Sequence, residues 1–135
     1  MQEWLHVKVW KCSSYPEHVI ASVVVTIVLA VLFTFSSSIK LLGARQSLEI
    51  RDHLGVTPAL FRVIGLLELA GVVGVLVGLA WAPIGIAAAI GLALLSVGAV
   101  AFHVRASDGL AKTAPAVIAI FLAVATAILQ MYSAR

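Results

Sequence analysis

Four apolar runs of membrane length alternate with short polar stretches along the chain, and this alternation predicts its elements. Ser14-Tyr-Pro-Glu17 has capping-box spacing with Pro16 in the first turn, so a first helix is expected near Tyr15, running to about Leu42. Its β-branched content would favour strand in water. In lipid, only helices and closed barrels satisfy the backbone, and the run is too long and too unalternating for a barrel strand. Between Leu42 and Thr57, Leu48, Ile50 and Leu54 sit among charges, with Gly55 able to close a helix in the left-handed conformation. That pattern predicts a short interfacial helix. Thr57 can cap a second span over 58–81, where Pro58 suits the first turn. Ala82-Pro83 then gives a tight turn, a third span covers 84–104, a polar turn containing Ser107-Asp-Gly109 follows, and a fourth span covers 113–132. The expected spans are therefore about 15–42, 58–81, 84–104 and 113–132. The fold class is all-α, an integral membrane four-helix bundle with a short interfacial helix between the first two spans.

The second span carries an acid, Glu68, near its middle. At 1.5 Å per residue from Pro58 it lies roughly 15 Å deep in a core about 30 Å thick. Glu68 shares a helix face with Phe61, Ile64, Gly71 and Gly78, while Gly74 and Gly78 have the small-residue spacing that membrane helices use for close packing. Gly91 adds to the small-residue character of the third span. This face is expected to meet protein at the centre of the bundle.

Composition agrees with that picture and excludes others. The chain is 62% hydrophobic and 11% charged, with a mean hydropathy of +1.12, too little polar surface to cover a water-soluble globule. The net charge of +3 is spread over loops and helix ends, which argues against nucleic-acid binding. The single cysteine, Cys12, excludes an internal disulfide or a dithiol pair. The four histidines are too far apart in sequence to signal a metal site, and no cofactor motif is present. Residues 1–18 mix Trp4, Trp10 and Tyr15 with Lys8, Lys11, His6 and His18, which suits an interfacial tail ahead of a membrane domain over 19–135.

Four spans place both termini on one side and the two charged loops on the other. Lys40, Arg45, Arg51, Arg105 and Lys112 lie on the loop side, against Lys8, Lys11 and Arg135 on the terminal side, so cytoplasmic loops and extracytoplasmic termini are expected. Lys40, Ser36 to Ser38, Arg62, His103 and Arg105 all fall in the loop-side half, with Glu68 deepest and Ser96 about level with it. A polar pocket opening toward the loops follows, with Glu68, Arg62, His103, Lys40, Arg105 and Ser96 as its candidates. Each has a plainer reading. Glu68 can be an interhelical hydrogen bond that fixes register, or a ligand or proton site. His103 and Arg105 can be interfacial anchors, and the serines can bond back to their own helix carbonyls. Arg62 and Glu68 point about 120° apart on one helix, so another span would have to bridge them.

Phe35-Ser-Ser-Ser-Ile-Lys-Leu-Leu-Gly43, His53-Leu-Gly-Val-Thr-Pro58, Ile64-Gly-Leu-Leu-Glu-Leu-Ala-Gly71 and Ala99-Val-Ala-Phe-His-Val-Arg105, in that order, resemble the DoxX-like membrane proteins. The alanine- and glycine-rich style is similar to actinobacterial members. The resemblance spans about residues 19–132 and implies a four-helix membrane bundle of the bacterial plasma membrane, with Lys40, Glu68, His103 and Arg105 on recurrent polar positions. It further implies possible roles in thiosulfate:quinone oxidoreduction or in oxidative-stress membrane complexes. Two function classes follow. The first, favoured by the lack of a soluble domain or cofactor motif, is a non-catalytic accessory subunit of a larger membrane complex such as a lipid or solute transporter or a respiratory assembly. The alternative is an oxidoreductase or small-molecule-binding protein with a polar pocket for a quinone, a lipid or a sulfur oxyanion.

Overall fold

The computed structural model describes residues 17–134, so residues 1–16 of the expected tail, with Cys12 and Ser14, lie outside the described residues, while Glu17 and His18 belong to the first helix. Five helices follow one another: α1 Glu17–Leu41, α2 Arg45–His53, α3 Pro58–Val77, α4 Ala82–Arg105 and α5 Leu110–Ser133. No strand occurs among the described residues. All except α2 are long and apolar enough to cross a membrane. They form a four-sided bundle in which α1 packs on α3 and α5, and α4 packs on α3 and α5. The core is a column of Leu29, Phe33, Val72, Val75, Leu92 and the small residues Ala89, Ala119 and Ala123. Outward-facing Val, Leu, Ile and Phe side chains are exposed on every long helix, as a lipid-facing surface requires.

The helix ends follow local chemistry. Thr57 accepts a hydrogen bond from the Leu60 amide at 3.3 Å, and Pro58 occupies the first position of α3. At the loop side, α1, α2 and α4 end in the same way. A residue at positive φ, Gly43 (66°), Gly55 (66°) or Ser107 (57°), reverses the chain, and the next amide bonds back five residues to Ile39, Arg51 or His103. Ser107 adopts a conformation that costs an L-residue with a Cβ about 1 kcal/mol or more, and this turn places Asp108.

Three boundaries differ from the sequence expectation. α3 ends at Val77 instead of 81, with Gly78 as its cap residue and residues 78–80 forming the turn to α4. α4 begins at Ala82, with Pro83 inside its first turn and Trp81 as the cap residue. α5 begins at Leu110 instead of Thr113, because Gly109 caps it and its carbonyl accepts from both the Thr113 amide and the Thr113 hydroxyl. Pro115 thus lies within α5.

The glycines set the spacing of α3 and α4. A Cβ on Gly71 would clash with Leu92, one on Gly74 with the Ala88 Cβ, and one on Gly78 with the Gly85 backbone. The two helices are therefore in closest contact beside the turn that joins them. Gly65, nearer the loops, meets Lys40 and Leu41 of α1 instead. The end of α1 is thus level with Gly65, and the first two turns of α3 extend beyond it, leaving a step that α2 occupies.

Candidate functional site

Toward the loop side, beyond the glycine contacts, the bundle holds a partly open cavity of about 510 Å³. Phe33, Phe61, Leu95 and Phe102 give it largely apolar walls, Ile50 and Leu54 of α2 lie along its loop-side end, and Lys40 and Glu68 are its charged groups. The step at the end of α1 explains the meeting of these two. Lys40 starts level with Gly65, and its side chain has to reach across to a residue one turn further along α3. Its Nζ lies 2.9 Å from both carboxylate oxygens of Glu68. It also donates to Ser36 Oγ and stands 6.0 Å from the centre of the Phe61 ring, within reach of the attraction between a cation and an aromatic face. The side chains of Lys40 and Glu68 are 17% and 8% exposed. A pair this well enclosed holds because each charge neutralises the other, and removing either leaves an uncompensated charge in a medium of low dielectric.

The other candidate residues separate into three groups. Ser96 lines the same cavity and donates to the Leu92 carbonyl at 2.9 Å. Arg62 and Arg105 are exposed and lie outside the cavity lining. His103 lies outside the lining as well and joins a second cluster on the loop side. There His103 Nδ1 donates to one oxygen of Asp108 at 2.7 Å, His53 Nε2 donates to the other at 2.8 Å, and Lys112 approaches the latter at 3.2 Å. The Asp108 side chain is only 3% exposed. The His103 hydrogen bond, followed by that of His53, holds the Asp108 carboxyl well below the usual carboxylate range, against the opposing effect of desolvation. This cluster ties the end of α2 to α4 and α5. Among the described residues no group of three or more His, Cys, Asp or Glu side chains could hold a metal ion.

A third polar assembly occupies the turn-side half and was not singled out by the sequence. Gln130 of α5 is 2% exposed, and its Nε2 donates to Thr26 Oγ1 of α1 at 3.2 Å and to the Val75 carbonyl of α3 at 3.0 Å. Among the described residues its Oε1 meets no conventional donor, and it lies at the Gly78–Gly85 crossing, in the space a Cβ on either glycine would need. The sequence placed packing at Gly71, Gly74, Gly78 and Gly91. The first three face α4, whereas Gly91 has nothing within 4 Å of a Cβ built on it.

Four membrane-length helices packed into one bundle, with buried polar groups at two levels, define a multi-pass membrane protein of the helical-bundle class. The profile of the DoxX-like family matches residues 24–127, and the chain belongs to that family. No curated protein and no solved structure matches the chain.

Proposed function

We propose that this protein binds a small lipophilic molecule with a polar head, a quinone or a lipid, in the loop-side cavity. The observation that carries this reading is the pairing of an enclosed Lys40–Glu68 ion pair with the largely apolar walls of a space of about 510 Å³. Ligand sites of membrane bundles combine a hydrocarbon-compatible wall with a few convergent polar groups, at volumes of roughly 300–1,000 Å³. Walls of this extent favour a ligand with a hydrocarbon part over a free sulfur oxyanion. The basic residues Lys40, Arg45, Arg51, Arg105 and Lys112 support an orientation in the bacterial plasma membrane with the cavity end toward the cytoplasm. The test is to purify the protein in mild detergent, extract it and identify retained small molecules by mass spectrometry. Ala99→Phe, which fills the cavity from α4, should lose the molecule while keeping the elution volume of wild type. Equal retention by both proteins would remove the cavity from the account.

A second reading, the accessory subunit that docks on a larger membrane complex, is supported by the outer face of α4. A Cβ built on Gly91 would meet no atom of the described residues within 4 Å, and Gly91 borders a shallow groove of about 500 Å³ with Leu67, Ala70 and Leu94. Close approach of a further helix is the usual use of such a surface.

A further inference from the structure

We infer that the loop-side cavity takes an amphiphile with an anionic head and one hydrocarbon tail, which enters by displacing Glu68 from Lys40 while the Glu68 carboxylate takes up one proton. The inference rests on the cavity reading above and specifies its ligand class. A lysine ammonium has three N–H donors, and here all three are committed, to the two oxygens of Glu68 and to Ser36 Oγ. Among the described residues Lys40 and Glu68 are the only charged ones that line the cavity, so their charges cancel within it. A neutral polar head finds no free donor on Lys40. An anionic head can take Lys40 only if Glu68 leaves it, and a second negative charge without a counter-charge would be costly in this enclosed medium. One proton from solution on a Glu68 oxygen restores neutrality, with the lysine paired to the ligand and the acid left as a neutral donor. No covalent bond forms or breaks in the ligand.

The surroundings of Glu68 contain nothing that competes for that proton. From α1 it faces Lys40 and Ser36, and from α4 the cavity receives Ser96, whose hydroxyl is turned to the Leu92 carbonyl. α5 contributes no titratable group to the lining. α2 contributes Ser47, which is 2% exposed and lines the cavity, and no hydrogen bond to its hydroxyl is formed among the described residues. That hydroxyl is an available second donor for an anionic head. The walls around Phe33, Leu54, Leu95 and Phe102 suit the tail.

The experiment uses the full chain in phosphatidylcholine nanodiscs, titrated calorimetrically with dodecanesulfonate, dodecanol and methanesulfonate in two buffers of different ionisation heat, with empty nanodiscs as the reference. A sulfonate stays ionised, so any proton uptake belongs to the protein. Dodecanesulfonate should bind with uptake of about one proton, and its affinity should fall as pH rises, approaching tenfold per pH unit where uptake is complete. Glu68→Gln should bind it without proton uptake, independently of pH and more tightly than wild type at the alkaline end. Dodecanol should bind more weakly with no pH dependence, and methanesulfonate should show no saturable binding. Dodecanesulfonate binding without proton uptake in wild type overturns the exchange whatever the behaviour of the variant, and leaves the cavity reading standing if Ala99→Phe abolishes that binding. Methanesulfonate binding as tightly as its long-chain counterpart overturns the tail. Binding of every amphiphile unchanged by Ala99→Phe overturns the cavity reading itself.

Discussion

The two halves of this bundle bury polar groups in opposite ways. In the turn-side half, Gly78 and Gly85 bring α3 and α4 into backbone contact, and a neutral amide, Gln130 of α5, fills the remaining space while bonding to α1 and α3. In the loop-side half, large side chains such as Phe33, Phe61 and Phe102 stand among small ones such as Ser96, Ala99 and Ala119, the helices leave a cavity between them, and the charged groups are a full ion pair. Neutral hydrogen bonds between membrane helices are each worth about 1 kcal/mol or less, because the separated helices also find partners. A broken buried ion pair is different, since it leaves a charge behind at a cost of about 3–5 kcal/mol. The comparison teaches that the turn-side half is held by fit, whereas the loop-side half is held by charge balance around a space.

The sharpest way to break this contrast is to remove one charge. Lys40→Met should destabilise the protein by about 3 kcal/mol, and Lys40→Met combined with Glu68→Gln should recover most of the loss. Gln130→Leu, the matching change in the other half, should cost about 1 kcal/mol. Denaturant titration of the three variants in micelles gives the order, and equal costs for Lys40→Met and Gln130→Leu would erase the distinction. Next comes the fit of the turn-side half. Gly85→Ala puts a Cβ onto Gln130 Oε1 and the Gly78 backbone, an overpacking that should cost about 1–3 kcal/mol. Gly91→Ala, where a Cβ would meet no atom of the described residues within 4 Å, should leave the unfolding midpoint unchanged. A midpoint equally lowered by both would mean that Gly91 is also buried against a neighbour. The smallest effect belongs to neither half and concerns the Asp108 tie. Its carboxyl titrates below the unfolded value of about 3.9, so its contribution is complete above that value and is lost as pH falls further. Protection factors for hydrogen exchange around residues 107–112, taken relative to the intrinsic rate at each pH, should therefore fall only below about pH 4 in wild type, and should be low and independent of pH in Asp108→Asn. An acid-insensitive wild type would sever Asp108 from the stability of the loop.

Much of the fold was legible because its determinants are local. The membrane runs, the Thr57 cap, Pro58 and the left-handed glycine at Gly55 each act within a few residues of their own position. The sites were legible only in part. Glu68 announces itself as an acid in an apolar run, but its partner could not be read from depth counting, because that counting set Lys40 at the membrane surface and Glu68 at the midplane. The step between the end of α1 and the start of α3, which α2 occupies, brings Lys40 to within one turn of Glu68. Gln130 was visible near the end of its span, yet its partners are 104 and 55 residues away in sequence, and only packing brings them together. Asp108 was read as a turn residue. The available signal was a charged side chain flanked by His103 five residues before it and Lys112 four residues after, a spacing that a tight reversal folds onto one point.

The cavity wall includes Phe35 and Leu94, whose residues are 69% and 66% exposed on the surface that faces hydrocarbon. A molecule dissolved in the bilayer can therefore arrive sideways, after a search in two dimensions. Occupancy then follows the mole fraction of the molecule among the surrounding lipids. Diluting a vesicle suspension with buffer would leave the site as full as before, while adding lipid would empty it.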